Sequence, residues 1–308
     1  MRDFQAKGVA SVLTNNGKCW LTGSLLNNTN YDGTLYFLTA EHGIYGSGGN
    51  LEIGDTAKWI FLWNFVSSTC AGTLNNNPPS TYGAILVSVN DDTDMALLRL
   101  IDPPQKVLPN GVVFYNGWDR KLTQNSSGAM IHHPSGDVKK IATFNVAPTI
   151  SGNFWRVSSF ISTLNGYSIP EGGSSGAPVF NNKMQVIGNH YQSSSANCSN
   201  PIQEFSRSGA IGVSWDNGTI PSEILQPWLD PFNIDLISID GEFLYTCGRP
   251  TYVYNVTVNS TRTDYGCTII SKNTTVNSSS LTFDAEKFTI LESNFEVKSG
   301  AIFEIKTH

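Results

Sequence analysis

The chain has 308 residues, a formal net charge of −6 and only 14% charged residues. That length suffices for two or three domains with cores of their own. The charge argues against nucleic acid or an anionic membrane as the main partner, and no apolar run is long enough to span a bilayer.

Met1-Arg2-Asp3-Phe4-Gln5 has neither the apolar core nor the cleavage site of a signal peptide, yet the composition is low in Lys and rich in Asn and Thr. The expectation is an exported protein whose native start lies upstream, the alternative being a leader already removed. Short β-like runs then recur from Gly8 to Trp215: Thr34–Leu38, Ala84–Val89, Met95–Leu100, Val112–Tyr115, Ile141–Ala147, Phe154–Ser158, Ala177–Phe180, Gln185–His190 and Ala210–Trp215. Turn chemistry separates them at Asn15-Asn16-Gly17, Tyr31-Asp32-Gly33, Pro109-Asn110-Gly111 and Pro134-Ser135-Gly136. This spacing predicts a sandwich or a pair of barrels.

The one helical pattern is Pro221–Leu229, with Ser222 as its cap and Pro227 as a kink or stop. Beyond Pro231 the texture changes, and a domain boundary is expected near Leu236–Gly241. The tail repeats a short motif, in Leu281-Thr282-Phe283, Phe288-Thr289-Ile290, Phe295-Glu296-Val297 and Ile302-Phe303-Glu304, which fits stacked short strands.

Five cysteines leave at least one unpaired within the chain. No two stand at C-x-x-C spacing, so no structural zinc site is expected. Cys247 and Cys267 lie in one late segment, where a bridge between them and two separate buried thiols are both open.

Three segments carry chemistry, in the order histidine, aspartate, serine. His42 ends the apolar run Leu35–Ala40, which places it at a sheet rim. Asp94 precedes Met95-Ala96-Leu97-Leu98, so its carboxylate is positioned to be buried and to accept from a histidine Nδ1–H; Asp91 and Asp92 read as solvated turn residues. Ser175 stands in Gly173-Ser174-Ser175-Gly176, where the glycines free the backbone to turn the N–H groups of Gly173 and Ser175 toward one oxyanion. A serine hydroxyl needs a base within reach, and the base needs a partner that fixes its tautomer. A rival frame, Gly172-Gly173-Ser174-Ser175-Gly176 as G-x-S-x-G with Ser174 as nucleophile, requires alternating helices and a later acid and histidine that the chain lacks. His132 and His133 compete with His42 but follow the acid, and neighbours on a strand face opposite ways.

From Asp3 to Pro231 the chain resembles the bacterial lysyl endopeptidases, a branch of the trypsin-like serine proteases. The resemblance rests on Thr22-Gly23-Ser24-Leu25, Tyr36–Ala40 with His42, Trp63-Asn64-Phe65, Ser68-Thr69-Cys70, Asp94 with Leu97-Leu98, and Gly117-Trp118-Asp119-Arg120. It continues through Ile131-His132-His133-Pro134, Gly173–Pro178, Ser214-Trp215 and Trp228-Leu229-Asp230-Pro231. It implies an all-β protein: two antiparallel six-stranded β-barrels, about 1–115 and 116–238, followed by a small C-terminal β domain over 239–308. It also implies His42, Asp94 and Ser175 as the triad, which leaves His132 and His133 a structural part. Where the family carries a cysteine pair beside the catalytic histidine, this chain has Gly43 and Leu21. Cys70 and Cys198 match cysteines that bridge to an amino-terminal segment in the family.

The substrate pocket transfers less completely. Trp155 and His190 match positions near the cleft, and Ser214 with Trp215 matches the pair that follows the pocket acid. The acid itself corresponds to about Ser206, with Glu204 as a substitute by loop shift and Arg207 opposing it; the place six residues before Ser175 is Ile169. The tail from about Gly241 resembles carboxy-terminal modules of Bacteroidetes-type secreted proteins, through Asn294–Glu304. The expectation is therefore a secreted serine endopeptidase with a protein or peptide substrate, no metal or cofactor, no nucleic-acid partner, no membrane span and a monomeric state. Lys- or Arg-directed cleavage is one form of it. The alternative is a silent protease-like binding or adhesion protein, favoured by the lost cysteine pair and opposed by the intact triad.

Overall fold

A computed structural model describes residues 2–14, 19–44, 53–67, 77–108, 113–124, 126–158, 160–161, 169–194, 205–244 and 251–307; the side chains of 2, 19, 53–55, 244, 267, 286–288 and 307 are outside the description. Chain contacts divide it into two compact units, Met1–Asn30 with Thr34–Glu242, and Tyr31–Gly33 with Phe243–His308.

The first unit begins with a short helix, Arg2–Lys7. Seven strands follow: β1 (Val9–Thr14), β2 (Cys19–Leu26), β3 (Tyr36–Ala40), β4 (Ile60–Leu62), β5 (Ser80–Tyr82), β6 (Ala84–Asn90) and β7 (Met95–Leu100). They pair antiparallel in the order β5-β4-β1-β2-β3-β7-β6. After β8 (Val113–Tyr115), a second sheet takes β9 (Trp118–Asp119), β10 (Gly128–His132), β11 (Lys140–Phe144), β12 (Thr149–Ser151), β13 (Phe154–Val157), β14 (Pro178–Phe180), β15 (Val186–Ser193), β16 (Ser206–Ala210) and β17 (Ser238–Ile239). Its main path is β11-β10-β14-β15-β16-β13-β12, with β9 joined to β15 and β17. The all-β expectation holds. The sheets hold seven and nine strands among the described residues, against the six expected in each.

Burial explains the pattern. β7 reads Met95-Ala96-Leu97-Leu98-Arg99-Leu100, and all but Arg99 are buried because both faces of the strand are covered. Phe37 on β3 is fully buried and meets Phe61 and Trp63 edge-on, at 5.1 and 6.1 Å between ring centroids. A core of Val9, Leu38, Leu97, Trp118, Ile131, Phe180 and Ile211 draws on strands from both sheets of this unit.

Two expected elements differ. The run Ala210–Trp215 is not a strand; β16 ends at Ala210 and Ile211–Ser214 is one helical turn. Ser214 Oγ donates back to the Ala210 carbonyl at 3.2 Å, offering the backbone the local bond that a strand would forgo. The helix over Pro221–Leu229 is broken into a 3₁₀ turn, Pro221–Glu223, an extended Ile224, and an α turn, Gln226–Leu229. Pro227 lies in the first turn of that second piece, where its missing N–H costs nothing, so it starts a helix instead of kinking one.

In the second unit the strands are parallel. Thr251–Tyr254, Arg262–Lys272, Ser280–Leu291 and Ile302–Thr307 form one sheet, and Thr257–Val258, Thr274–Val276 and Phe295–Val297 another. Asn255, Asn273 and Asn294 all have positive φ, and their amides form a ladder at 2.9 Å per rung. Val253, Ile269, Leu281 and Phe283 fill the interior. Cys247 lies outside the described residues, and so does the Cys267 side chain, so a bridge between them is not described.

Phe37→Ala removes a fully buried ring and should cost about 3–5 kcal/mol of unfolding free energy. Urea titration monitored by tryptophan fluorescence reads it; a change below about 1 kcal/mol contradicts this description of the core.

Candidate active site

The antiparallel pairing of β3 with β7 sets the first two site residues. Their last registered pair is Ala40 with Met95. One residue before Met95 stands Asp94, and two after Ala40 stands His42, so the register itself brings them together. His42 lies on the 3₁₀ turn Glu41–Gly43. Asp94 closes the turn Asp91–Thr93 in the left-handed region, φ 51 and ψ 38; the Asn90 side chain caps that turn by accepting from the Thr93 N–H. Asp94 is 3% exposed, whereas Asp91 and Asp92 are exposed, as the sequence suggests.

The Asp94 carboxylate faces His42 Nδ1 at 2.9 and 3.0 Å and accepts from the His42 backbone N–H at 2.9 Å. A carboxylate only accepts, so Nδ1 carries the proton and Nε2 keeps its lone pair. Nε2 stands 2.8 Å from Ser175 Oγ, the geometry for taking the hydroxyl proton. Burial of the ring lowers the His42 pKa, but the hydrogen bond and charge of Asp94, with the charge of Glu41 added, outweigh it and leave the pKa above 6.5.

Ser175 lies on the tight turn between Glu171 and β14. Gly173 and Gly176 have φ of +92° and +82°, in the left-handed region. A Cβ on Gly176 would stand 2.3 Å from the Thr22 carbonyl oxygen, so only glycine lets this turn lie against β2. The backbone N–H groups of Gly173 and Ser175 have no hydrogen-bond partner among the described residues.

Beside Ser175 opens a cavity of about 420 Å³, walled by Pro170, Glu171, Gly172, His190, Tyr191 and Gln192–Ser194. Of the expected pocket residues, His190 alone among those described lines it. His190 is 3% exposed, its Nδ1 lies 3.2 Å from Ser206 Oγ, and burial followed by the charge of His42 lowers its pKa to about 3. Trp155 is 1% exposed inside the second-sheet core, and its indole N–H donates to the Ile187 carbonyl. Ser214 is fully buried in its helical turn. Trp215 packs on Trp118, 4.6 Å between centroids, and beneath the Arg120 guanidinium. None of these three opens on the cavity. Glu204 lies outside the described residues, as do Cys70 and Cys198.

Tyr191 is the residue that sequence reasoning missed. The register of β15 on β16 slips between His190 and Gln192, so Tyr191 is the extra residue of a bulge. The bulge turns its ring edge-on to His42 at 5.8 Å and onto Phe154 at 5.2 Å. Its position after His190 was the available signal; the bulge that aims it leaves no mark in the sequence.

Leu21 and Gly43, where the resemblance implies a cysteine pair, lie against each other. A Cβ on Gly43 would meet Leu21 Cδ1 at 2.3 Å. The buried leucine thus fills the space over Gly43. Gly43→Ala should lower stability by about 1–3 kcal/mol through overpacking, read by thermal melting; an unchanged melting temperature contradicts this packing.

A family model described as "Lysyl endopeptidase, C-terminal domain" matches residues 2–206. Lysyl endopeptidase of Pseudomonas aeruginosa is 32% identical over 178 residues, which covers 56% of this chain and 36% of that protein. Among solved structures, a Glu endopeptidase shares 13% identity at a TM-score of 0.43, covering 67% of this chain and 86% of that one. A serine endoprotease from Yersinia pestis shares 18% identity at a TM-score of 0.42, covering 66% of this chain and 59% of that one.

Proposed function

The chain belongs to the lysyl endopeptidase family, and from that premise we propose that it is a secreted serine endopeptidase. One observation carries the reading: the continuous relay from the Asp94 carboxylate through His42 to Ser175 Oγ, with separations of 2.9 and 2.8 Å. Ser175 attacks the scissile carbonyl while His42 Nε2 takes its proton. Asp94 holds the ring in the productive tautomer and stabilises the imidazolium. The N–H groups of Gly173 and Ser175 receive the oxyanion, and His42 then returns the proton to the leaving amine. A water attacks the acyl-enzyme by the same route in reverse. No step calls on a metal or a cofactor, and no helix of the described residues is long and apolar enough to cross a membrane. The low-charge, Asn- and Thr-rich composition supports export, and a monomer suffices because all three relay residues come from one unit.

Wild type should cleave denatured casein, and Ser175→Ala should not; cleavage by the purified mutant overturns the reading. The base works as the neutral ring, so kcat/KM should rise with pH through an apparent pKa above 6.5, the direction in which Asp94 moves His42. The protonated His42–Asp94 pair stabilises the fold most below pH 6.5, and that share is lost as pH rises through the folded pKa. Asp94→Asn should drop kcat by about 10⁴ at neutral pH. A limb below 6.5 in wild type contradicts the relay.

The family and the printed name of the Pseudomonas relative favour Lys-directed cleavage, one form of a Lys- or Arg-directed enzyme. A buried ammonium needs a desolvated acid. Ser206 stands at the matching position and bonds to His190, which leaves Glu204 as the proposed acid. Cut-site profiling on a denatured proteome should show basic P1 residues, and Glu204→Gln should erode that preference. Cuts without basic P1 residues would refute this specificity and fit instead the uncharged His190 in the cavity wall.

A further inference from the structure

The paired histidines of Ile131-His132-His133-Pro134 take no part in the relay, yet both are fully buried beside it. What they surround is the turn that carries Ser175. In a trans peptide the C=O of one residue and the N–H of the next point in opposite directions. The Gly173 N–H is therefore aimed by whatever holds the Gly172 carbonyl, and the Ser175 N–H by whatever holds the Ser174 carbonyl. The Ser174 carbonyl accepts from the Ala177 N–H at 2.9 Å, a bond within the turn. The Gly172 carbonyl accepts from outside, from the Ser135 N–H at 2.6 Å. Ser135 presents that N–H from φ 53 and ψ 24, a conformation costly for a non-glycine residue and held by its surroundings.

Two side-chain links join the same segments. Ser174 is fully buried; its Oγ accepts from the Glu171 N–H at 3.1 Å and lies 2.8 Å from His132 Nδ1. Thr22 Oγ1 donates to the Gly173 carbonyl at 2.8 Å and accepts from the His133 N–H at 3.0 Å. The Thr22 N–H donates to the Ser175 carbonyl at 2.8 Å. A Cβ on Gly173 would meet the His133 carbonyl oxygen at 2.9 Å, so the segments lie in direct backbone contact. Burial, with the charges of His190 and Lys140 added, keeps the His132 ring neutral down to about pH 3, so its bond to Ser174 keeps one form across the working range.

We propose that His132–Ser135 is the brace of the oxyanion site, with His132 a positioning residue that acts through Ser174. The Ser135 N–H sets the direction of the Gly173 donor, and the His132–Ser174 bond locks the turn from beneath. This rests on the endopeptidase reading. Its consequence is a defect in the transition state alone, since the oxyanion exists only there.

The test uses the purified full chain and a peptide amide substrate. Ser174→Ala removes one buried hydroxyl; it should lower kcat about tenfold to a thousandfold and leave KM within about twofold. Affinity for a peptide aldehyde, which forms a tetrahedral adduct, should fall in parallel. His132→Phe keeps a ring in the cavity without Nδ1 and should match Ser174→Ala, and the double variant should be no worse than the poorer single one. His132→Asn returns a polar atom near Nδ1 and should recover most of the rate. If His132→Phe does not fold, Ser174→Ala decides. An unchanged kcat in Ser174→Ala, or a loss carried by KM alone, overturns the brace while an active wild type leaves the endopeptidase reading standing. A wild type that cleaves nothing overturns both.

Discussion

The bond between His42 Nδ1 and Asp94 is the constraint on which the site depends. It exists because β3 and β7 pair in one register. A slip of one residue would take Leu38 and Leu97 out of the core they share with Val9 and Ile131 and carry Asp94 away from the imidazole together. The same apolar burial that fixes the register thus fixes the tautomer. Asp94 then spends its hydrogen-bonding capacity on His42, through the ring and the backbone N–H. The Asp94 carbonyl is tied in turn by Asn189 of β15 at 2.7 Å and by the Glu41 N–H at 3.1 Å. A left-handed aspartate that would be costly alone is held by bonds from β15 and from the 3₁₀ turn that follows β3.

The turn that carries Ser175 follows the same logic. Thr22 on β2 fastens the carbonyls of Gly173 and Ser175, and the His132–Gly136 segment fastens Gly172 and Ser174. Neither Gly173 nor Gly176 could be another residue, since each stands at positive φ with backbone where a Cβ would go. The proposed donors are thereby preorganised before substrate arrives, which is how an oxyanion site contributes most to rate.

What the sequence disclosed divides by the range of the interactions. His42, Asp94 and Ser175 could be put forward from the sequence because each sits where a strong local signal, an apolar strand end or a glycine-rich turn, meets a reactive side chain. The stacked tail was legible in part: Leu281-Thr282-Phe283 and Ile302-Phe303-Glu304 lie on adjacent parallel strands, but Phe288-Thr289-Ile290 continues the strand of Leu281 instead of forming a short one of its own. The pocket was less so. Trp155 and Trp215 match cleft positions by order along the chain but pack inward, because the indoles meet Ile187 and Trp118 from distant segments. Tyr191 was invisible because a bulge, set by pairing with β16, decides where it points. Ser214 was read within a strand because its bond to Ala210 competes locally with extension.

The most direct measurement is to label the native protein with a fluorophosphonate and map the adduct by tandem mass spectrometry of the peptide spanning Pro170–Phe180. The relay predicts phosphonylation on Ser175 and none on the buried neighbour Ser174, with labelling slowing as pH falls below the His42 pKa. An adduct on Ser174, or a folded protein that takes none at all, would contradict it.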